Sequence, residues 1–286
     1  MGEVLLQGFL IGGVYALIAL GFVLVFKSSQ VMNLAYGQMI AILSYFLYQM
    51  IVYWGLSDWL GILLVIPCGA ILGCLIERLA IRPLLGQPFL AVLMMTLMLG
   101  FLVKGLIVLI WRSASFSLPF APQGLWTVGS IKIIPAAAIS FGAALLVFLL
   151  LTLLFRYTKI GLSMRVVAAD HEVAQSLGIK VKQVFTLSWA LSGAFAAICG
   201  ILAGMVFKVT PDLGDMVLGR GLPVLLLGGL DSIPGALVGG LIIGVVEALA
   251  GRYQAGLAEI IPWIVMLVIL LIRPYGLFGQ RRIERI

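Results

Sequence analysis

The run VLLQGFLIGGVYALIALGFVLVF, residues 4–26, decides the fold class. It carries no charge and exceeds the ~20 apolar residues that a helix needs to cross a ~30 Å hydrocarbon core. Glu3 stands where a cleavable secretion signal would have its basic region, so the run reads as a retained span. Further apolar stretches follow at 31–52, 59–80, 89–111, 134–155, 184–207, 216–230, 234–251 and 259–273. The chain is 63% hydrophobic and only 10% charged, against ~25% charged in a soluble domain, so it lacks the polar surface to cover a water-soluble globule. The expectation is an all-α, polytopic integral membrane helical bundle of about eight or nine transmembrane helices, with 1–286 forming a single transmembrane domain.

The seventh stretch, 216–230, is short and carries Arg220 and Pro223, so it either spans or re-enters. Charge placement favours spanning. With the N-terminus outside and nine crossings, Lys27, Arg78, Arg82, Arg156, Lys159, Arg165, Lys180, Lys182, Arg273, Arg281, Arg282 and Arg285 all fall on the cytoplasmic side, as the positive-inside bias requires. Without the seventh crossing, the tail arginines would lie opposite the basic residues of 156–183, and an eight-span count would need another segment to change as well. The other basic residues, Lys104, Arg112, Lys132, Lys208, Arg220 and Arg252, lie outside or within spans. This clustering accounts for the net charge of +7 without nucleic acid.

Cys68, Cys74 and Cys199 lie inside apolar spans without metal-ligand spacing and read as packing residues. Gly8 and Gly12, Gly200 and Gly204, Gly235 and Gly239, and Gly240 and Gly244 are small residues at four-residue spacing, which lets helix backbones approach closely in lipid. Residues 112–133, rich in Pro and Ser, with Trp111 just before them and Trp126 towards their far end, read as an external loop with interfacial anchors.

The one long polar interruption is RYTKIGLSMRVVAADHEVAQSLGIKVKQ, residues 156–183. Between Gly161 and Gly178, the residues Leu162, Val166, Ala169, Val173 and Leu177 recur at three- or four-residue spacing, predicting one amphipathic helix that Gly178 stops. Such a helix is either a surface for an ATPase subunit to grip or a solvated interfacial helix.

EVAQSLG, Glu172 to Gly178, is similar to the E-A-A-x-x-x-G loop by which ABC importer permeases contact their ATPases, with Val173 at the second position. The wider string GLSMRVVAADHEVAQSLGI resembles the form found in branched-chain amino acid permeases, the LivH/LivM-like family; Arg165, Asp170, Ala174, Gly178 and Ile179 occupy recurrent positions, and Val166 departs from the usual alanine. GGVYALIALG (Gly12 to Gly21), VMNLAYGQM (Val31 to Met39), GGLDSIPGALVGGLIIGVVEA (Gly228 to Ala248) and RPYGLFG (Arg273 to Gly279) resemble the same family, so the likeness spans the chain.

The resemblance implies a permease subunit of an ATP-driven importer in a bacterial or archaeal cytoplasmic membrane. It implies a homologous second permease subunit, two cytoplasmic ATPase subunits and an external solute-binding protein as partners. Gly161, Arg165, Asp170, Glu172, Ala174 and Gly178 would form the ATPase-coupling surface. The implied cargo is leucine, isoleucine or valine, with urea, short amides or other small amino acids as relatives' alternatives.

Charges inside spans are functional suspects, because an unpaired one in lipid costs several kcal/mol. Lys104 lies inside the fourth span and Glu247 near the outer end of the eighth. They either pair together, line the route of a zwitterionic solute, or reach the interface as a snorkelling Lys and a wetted Glu. Asn33, just inside the second span, either hydrogen-bonds across helices or touches solute. Asp231 is placed to cap the helix after the Gly-Gly-Leu-Asp-Ser-Ile-Pro-Gly turn. His171 has no second His or Cys near it, so no metal site is expected, and Met94, Met95 and Met98 read as core filler. No Gly-Lys pair occurs, hence no P-loop, and G-x-S-x-G, H-E-x-x-H and C-x-x-C are also missing. The chain is expected to be no enzyme and to hold no cofactor; any ATP would be used by partner subunits. The alternative is a secondary transporter or channel driven by an ion gradient, which would favour intramembrane acids in relay positions, with only Glu247 as a candidate.

Overall fold

The computed structural model describes residues 1–84, 86–128 and 131–279; Arg281, Arg282 and Arg285 of the basic tail lie outside the described residues. The apolar stretches form α1 (Gly2–Ser29), α2 (Tyr36–Tyr48), α3 (Asp58–Ile76), α4 (Phe89–Trp111), α5 (Pro135–Tyr157), α8 (Val181–Phe207), α9 (Leu213–Gly228), α10 (Ile233–Tyr253) and α11 (Ala255–Ile272). The polar interruption supplies α6 (Lys159–Ala169) and α7 (His171–Ser176). Among the described residues, 7 helices are long and apolar enough to cross a membrane. The two apolar helices that fall short are α2, which passes into a π-helical turn at Gln49–Tyr53, and α9, which is 16 residues long with Pro223 inside. The expected loop at 112–133 contains a short antiparallel hairpin, β1 (Trp126–Val128) with β2 (Ile131–Ile133), pairing Trp126 with Ile133.

The chain groups into two compact units. One comprises 1–23, 123–148 and 219–286, the other 24–122 and 149–218; three of the four boundaries fall within α1, α5 and α9, and the fourth between α4 and β1. In the first unit, the glycine pairs that the sequence singles out meet one another. A Cβ built on Gly8 of α1 would lie 2.7 Å from the Gly244 carbonyl oxygen of α10, and one on Gly12 would lie 2.7 Å from that of Gly240. Gly235 of α10 sits more tightly still on Gly228 of α9. Lipid tails are as apolar as leucine, so helices associate here by close van der Waals contact, which bare backbone permits. The tail closes the unit: Leu277 and Phe278 donate backbone hydrogen bonds to Leu227 (2.8 Å) and Gly228 (3.1 Å).

The second unit is organised around α8, whose Trp189, Ala196 and Cys199 are fully buried. α3 crosses it backbone to backbone through a contact that the sequence pattern did not single out: a Cβ on Gly69 would strike the Gly193 carbonyl oxygen, and one on Gly73 that of Trp189. α2 lies on the same helix, with the Ser44 hydroxyl donating to the Gly200 carbonyl at 3.0 Å. The segment after α4 is pinned to α2: the Tyr45 hydroxyl donates to the Ala114 carbonyl at 2.7 Å and Tyr48 stacks on Phe116 at 4.1 Å.

Two local expectations are corrected. The second span begins at Tyr36 rather than 31, because the Leu34 N–H bonds to the Thr96 hydroxyl (3.2 Å) and that hydroxyl in turn donates to the Met32 carbonyl (3.2 Å), holding residues 31–35 out of the helix. The cap of α10 is Ser232, not Asp231: its hydroxyl accepts from the Gly235 N–H at 3.0 Å.

Gly73→Leu should therefore lower thermal stability in detergent, by on the order of 2–3 kcal/mol as overpacking. Gly105→Leu is the control and should be neutral, since nothing lies within 4 Å of a Cβ there. A thermal-unfolding assay of both variants checks this.

Candidate functional site

The polar excursion is two helices, where the pattern predicts one. Thr158 caps α6 by accepting from the Gly161 N–H (3.1 Å), and Asp170 breaks the helix to cap α7, accepting from the N–H groups of Glu172 (2.7 Å) and Val173 (3.0 Å). A short carboxylate competes well for free N–H groups at a helix start, so Asp170 favours this break over continuation. The buried side is also corrected. Gly161, Met164, Val167 and Ala174 are buried, whereas in the expected stripe Leu162 is 54%, Val173 50% and Leu177 67% exposed.

The coupling candidates divide accordingly. Gly161 lets α6 sit on the end of α5, where a Cβ would come within 2.6 Å of Phe155. Ala174 is fully buried, and Gly178 ends α7 in the left-handed conformation (φ +79°) that glycine adopts without strain. Asp170 is engaged as a cap; Arg165 and Glu172 remain exposed. The free surface of α6 and α7 is thus an apolar stripe flanked by charge.

Each unit carries an ion-pair cluster within its helices. In the second unit, the Lys104 Nζ of α4 donates to the Asp212 carboxylate at 2.8 Å and to the Asp215 carboxylate. The Gln38 amide of α2 donates to the other Asp215 oxygen at 2.7 Å. Asp212 immediately precedes α9 and Asp215 lies in its first turn, where the macrodipole favours negative charge. The carboxylates remain accessible, Asp212 at 80% and Asp215 at 51% exposure, while Gln38 is buried.

In the first unit, Glu247 of α10 receives the Arg220 guanidinium of α9 at 3.0 Å, and both side chains are largely buried. Tyr15 of α1 lies against this pair and interacts with both charges. Lys104 and Glu247 thus do not pair together, as one expectation had it; each has its own partner.

Asn33 is buried in the turn before α2, with its amide on the Met39 sulfur at 3.5 Å and its carbonyl oxygen lacking a hydrogen bond among the described residues. Asp212, Asp215 and Arg220 escaped the sequence reading as partners. The available signal was the need of each intramembrane charge for an opposite one. No group of three or more potential metal ligands occurs among the described residues.

A set of glycine-crossed apolar helices that carry ion pairs, with one helical polar excursion, defines a polytopic helical membrane protein. The chain belongs to the family described as branched-chain amino acid transport system permease components, matched over residues 4–271. The high-affinity branched-chain amino acid transport system permease protein LivH of Salmonella typhimurium is 31% identical over 295 residues, covering 98% of this chain and 96% of its own. The probable LivH of Methanocaldococcus jannaschii is 31% identical over 307 residues (98% and 93%). The fructose import permease protein FruF of Bifidobacterium longum is 31% identical over 242 residues (82% and 66%). Among solved structures, a chain of PsaBC from Streptococcus pneumoniae in complex with Fab shares the fold at a TM-score of 0.51 and 15% identity, over 96% of this chain and 92% of that one. The chain is therefore a permease subunit of the ATP-driven importer class, and the ion-gradient alternative finds no support.

Removing Glu247 alone, as Glu247→Ala, should destabilise the protein by about 3–5 kcal/mol, because it strands a buried guanidinium. The double variant Arg220→Met, Glu247→Met should recover most of that loss. Thermal unfolding of both variants in one detergent reads the difference.

Proposed function

We propose that this chain forms half of the membrane pathway of an importer for branched-chain amino acids, paired with a second permease subunit of the same type. Two cytoplasmic ATPase subunits bind α6 and α7, and an external solute-binding protein delivers the cargo. The observation that carries this reading is the exposed apolar stripe of Leu162, Val173 and Leu177 on the one segment that leaves the bundle, beside the exposed Arg165 and Glu172. Such a stripe needs a cover, and the likeness of Glu172–Gly178 to the ATPase-contacting loop of importer permeases favours a protein subunit over lipid. The basic residues of 156–183 support a cytoplasmic position for it under the positive-inside bias, which goes with an N-terminus outside.

ATP binding and hydrolysis belong to the partner subunits. Their closure moves α6 and α7 as a lever; Gly161 transmits the motion because it seats α6 directly on the end of α5. The chain itself holds no cofactor or metal in this reading.

For the pathway we favour Lys104, Glu247 and Asn33. Lys104 with Asp212 and Asp215 offers both signs of charge in one place, which suits a zwitterion whose ammonium and carboxylate must each find a partner on leaving water. Names among the relatives include both amino-acid and fructose permeases, so the cargo is the first thing to measure.

Arg165→Glu should insert and fold normally but reduce uptake roughly tenfold or more, since a reversed charge at a docking surface costs at least the 1.4 kcal/mol of a tenfold change. Uptake and ATPase copurification, measured on the same preparation, check it; full uptake would remove Arg165 from the docking surface. Lys104→Met should abolish uptake of leucine while leaving ATPase binding intact, and unchanged uptake would remove Lys104 from the pathway.

A further inference from the structure

An apolar groove of about 910 Å³ lies in the second unit, lined by residues of α2, α3 and α4, among them Phe46, Cys68, Ile71 and Trp111. Its flanking helices are peripheral: only 28% of the apolar window of α3 and 22% of that of α4 are buried, and Ile71 is 59% exposed. An apolar groove open on a membrane-facing surface does not fill with water.

One end of the groove is different. The chain leaves the π turn of α2 after Tyr53 and leaves α4 after Trp111, so both helices end at the same membrane boundary. Trp54, Trp111 and Arg112 line the groove there, and tryptophan favours the headgroup level. Arg112 is exposed, and no carboxylate pairs with it among the described residues.

We propose that this groove is a binding site for one anionic phospholipid, with an acyl chain along Phe46, Cys68 and Ile71 and the phosphate on the Arg112 guanidinium. The groove asks for apolar cover along its wall and an anion at its Arg112 end. A phospholipid supplies both parts in one molecule, and arginine suits a phosphate through its planar set of donors. The site depends only on membrane residence, not on what the permease carries.

The test uses the whole complex, purified in detergent, with palmitoyl-oleoyl phosphatidylglycerol or phosphatidylcholine added back. Native mass spectrometry should show one retained lipid per chain, with phosphatidylglycerol favoured about fivefold, the effect of one basic residue near an anionic headgroup. Arg112→Gln should bring the two lipids to parity. Alkylation of Cys68 by N-ethylmaleimide, followed by peptide mapping with the fully buried Cys199 as reference, should slow when lipid is added. Ile71→Trp, a substitution at an exposed groove position, should displace the lipid and shield Cys68 with or without it. The proposal is overturned if lipid leaves Cys68 reactivity unchanged, if Arg112→Gln keeps the preference, or if Ile71→Trp retains the lipid. Cys68 shielded by a protein subunit in delipidated complex would also overturn it, making the groove a subunit contact.

Discussion

Close backbone contact between helices is the interaction on which the rest of this molecule depends. In lipid, apolar side chains gain little by moving from tails to protein, so a bundle needs surfaces that touch over many atoms. Gly8 and Gly12 of α1 provide one such surface against Gly240 and Gly244 of α10, and Gly69 and Gly73 of α3 provide another against the Trp189–Gly193 turn of α8. These crossings hold helices that carry charge. Arg220 and Glu247 sit on α9 and α10, whose own crossing is Gly228 on Gly235, so glycine contact brings the ion pair within 3.0 Å. Packing of this kind has few intermediate positions, which suits a machine that alternates between two arrangements.

The excursion at α6 and α7 follows a different rule. Its buried residues, Gly161, Met164, Val167 and Ala174, anchor it to the bundle. Its larger aliphatic residues face away. Thr158 and Asp170 satisfy the N–H groups at the two helix starts and Gly178 closes the end, so the backbone is settled locally while the outer face stays free. A rigid element that presents an apolar face beyond its own bundle suits the proposed lever between subunits.

Much of this was legible in the sequence. The stretch at 89–111 is α4 residue for residue, and the glycine pairs of α1 and α10 were visible as pairs, though not as partners of each other. Periodicity failed where a polar side chain overrode it: the stripe from Leu162 to Leu177 runs through Asp170, whose carboxylate ends one helix and starts the next. Asn33 was misplaced because apolarity continues through 31–35 while Thr96, far away in the chain, holds that backbone out of the helix. The partners of Lys104 were missed for a related reason. Asp212 and Asp215 lie at the start of α9, a short helix whose spanning was itself in question, and nothing local ties them to α4. Contacts between residues far apart in sequence are what a periodicity cannot carry.

The central claim, that the outer face of α6 and α7 is the docking surface for an ATPase subunit, is tested most directly by photo-crosslinking in membranes containing the whole transporter. A photoreactive residue at Leu177 (67% exposed) or Leu162 (54%) should form an adduct with the ATPase subunit, and one at Leu109 of α4 (77%) should label only lipid. Adducts with lipid alone at all three positions would contradict the account and make α6 and α7 an interfacial helix pair.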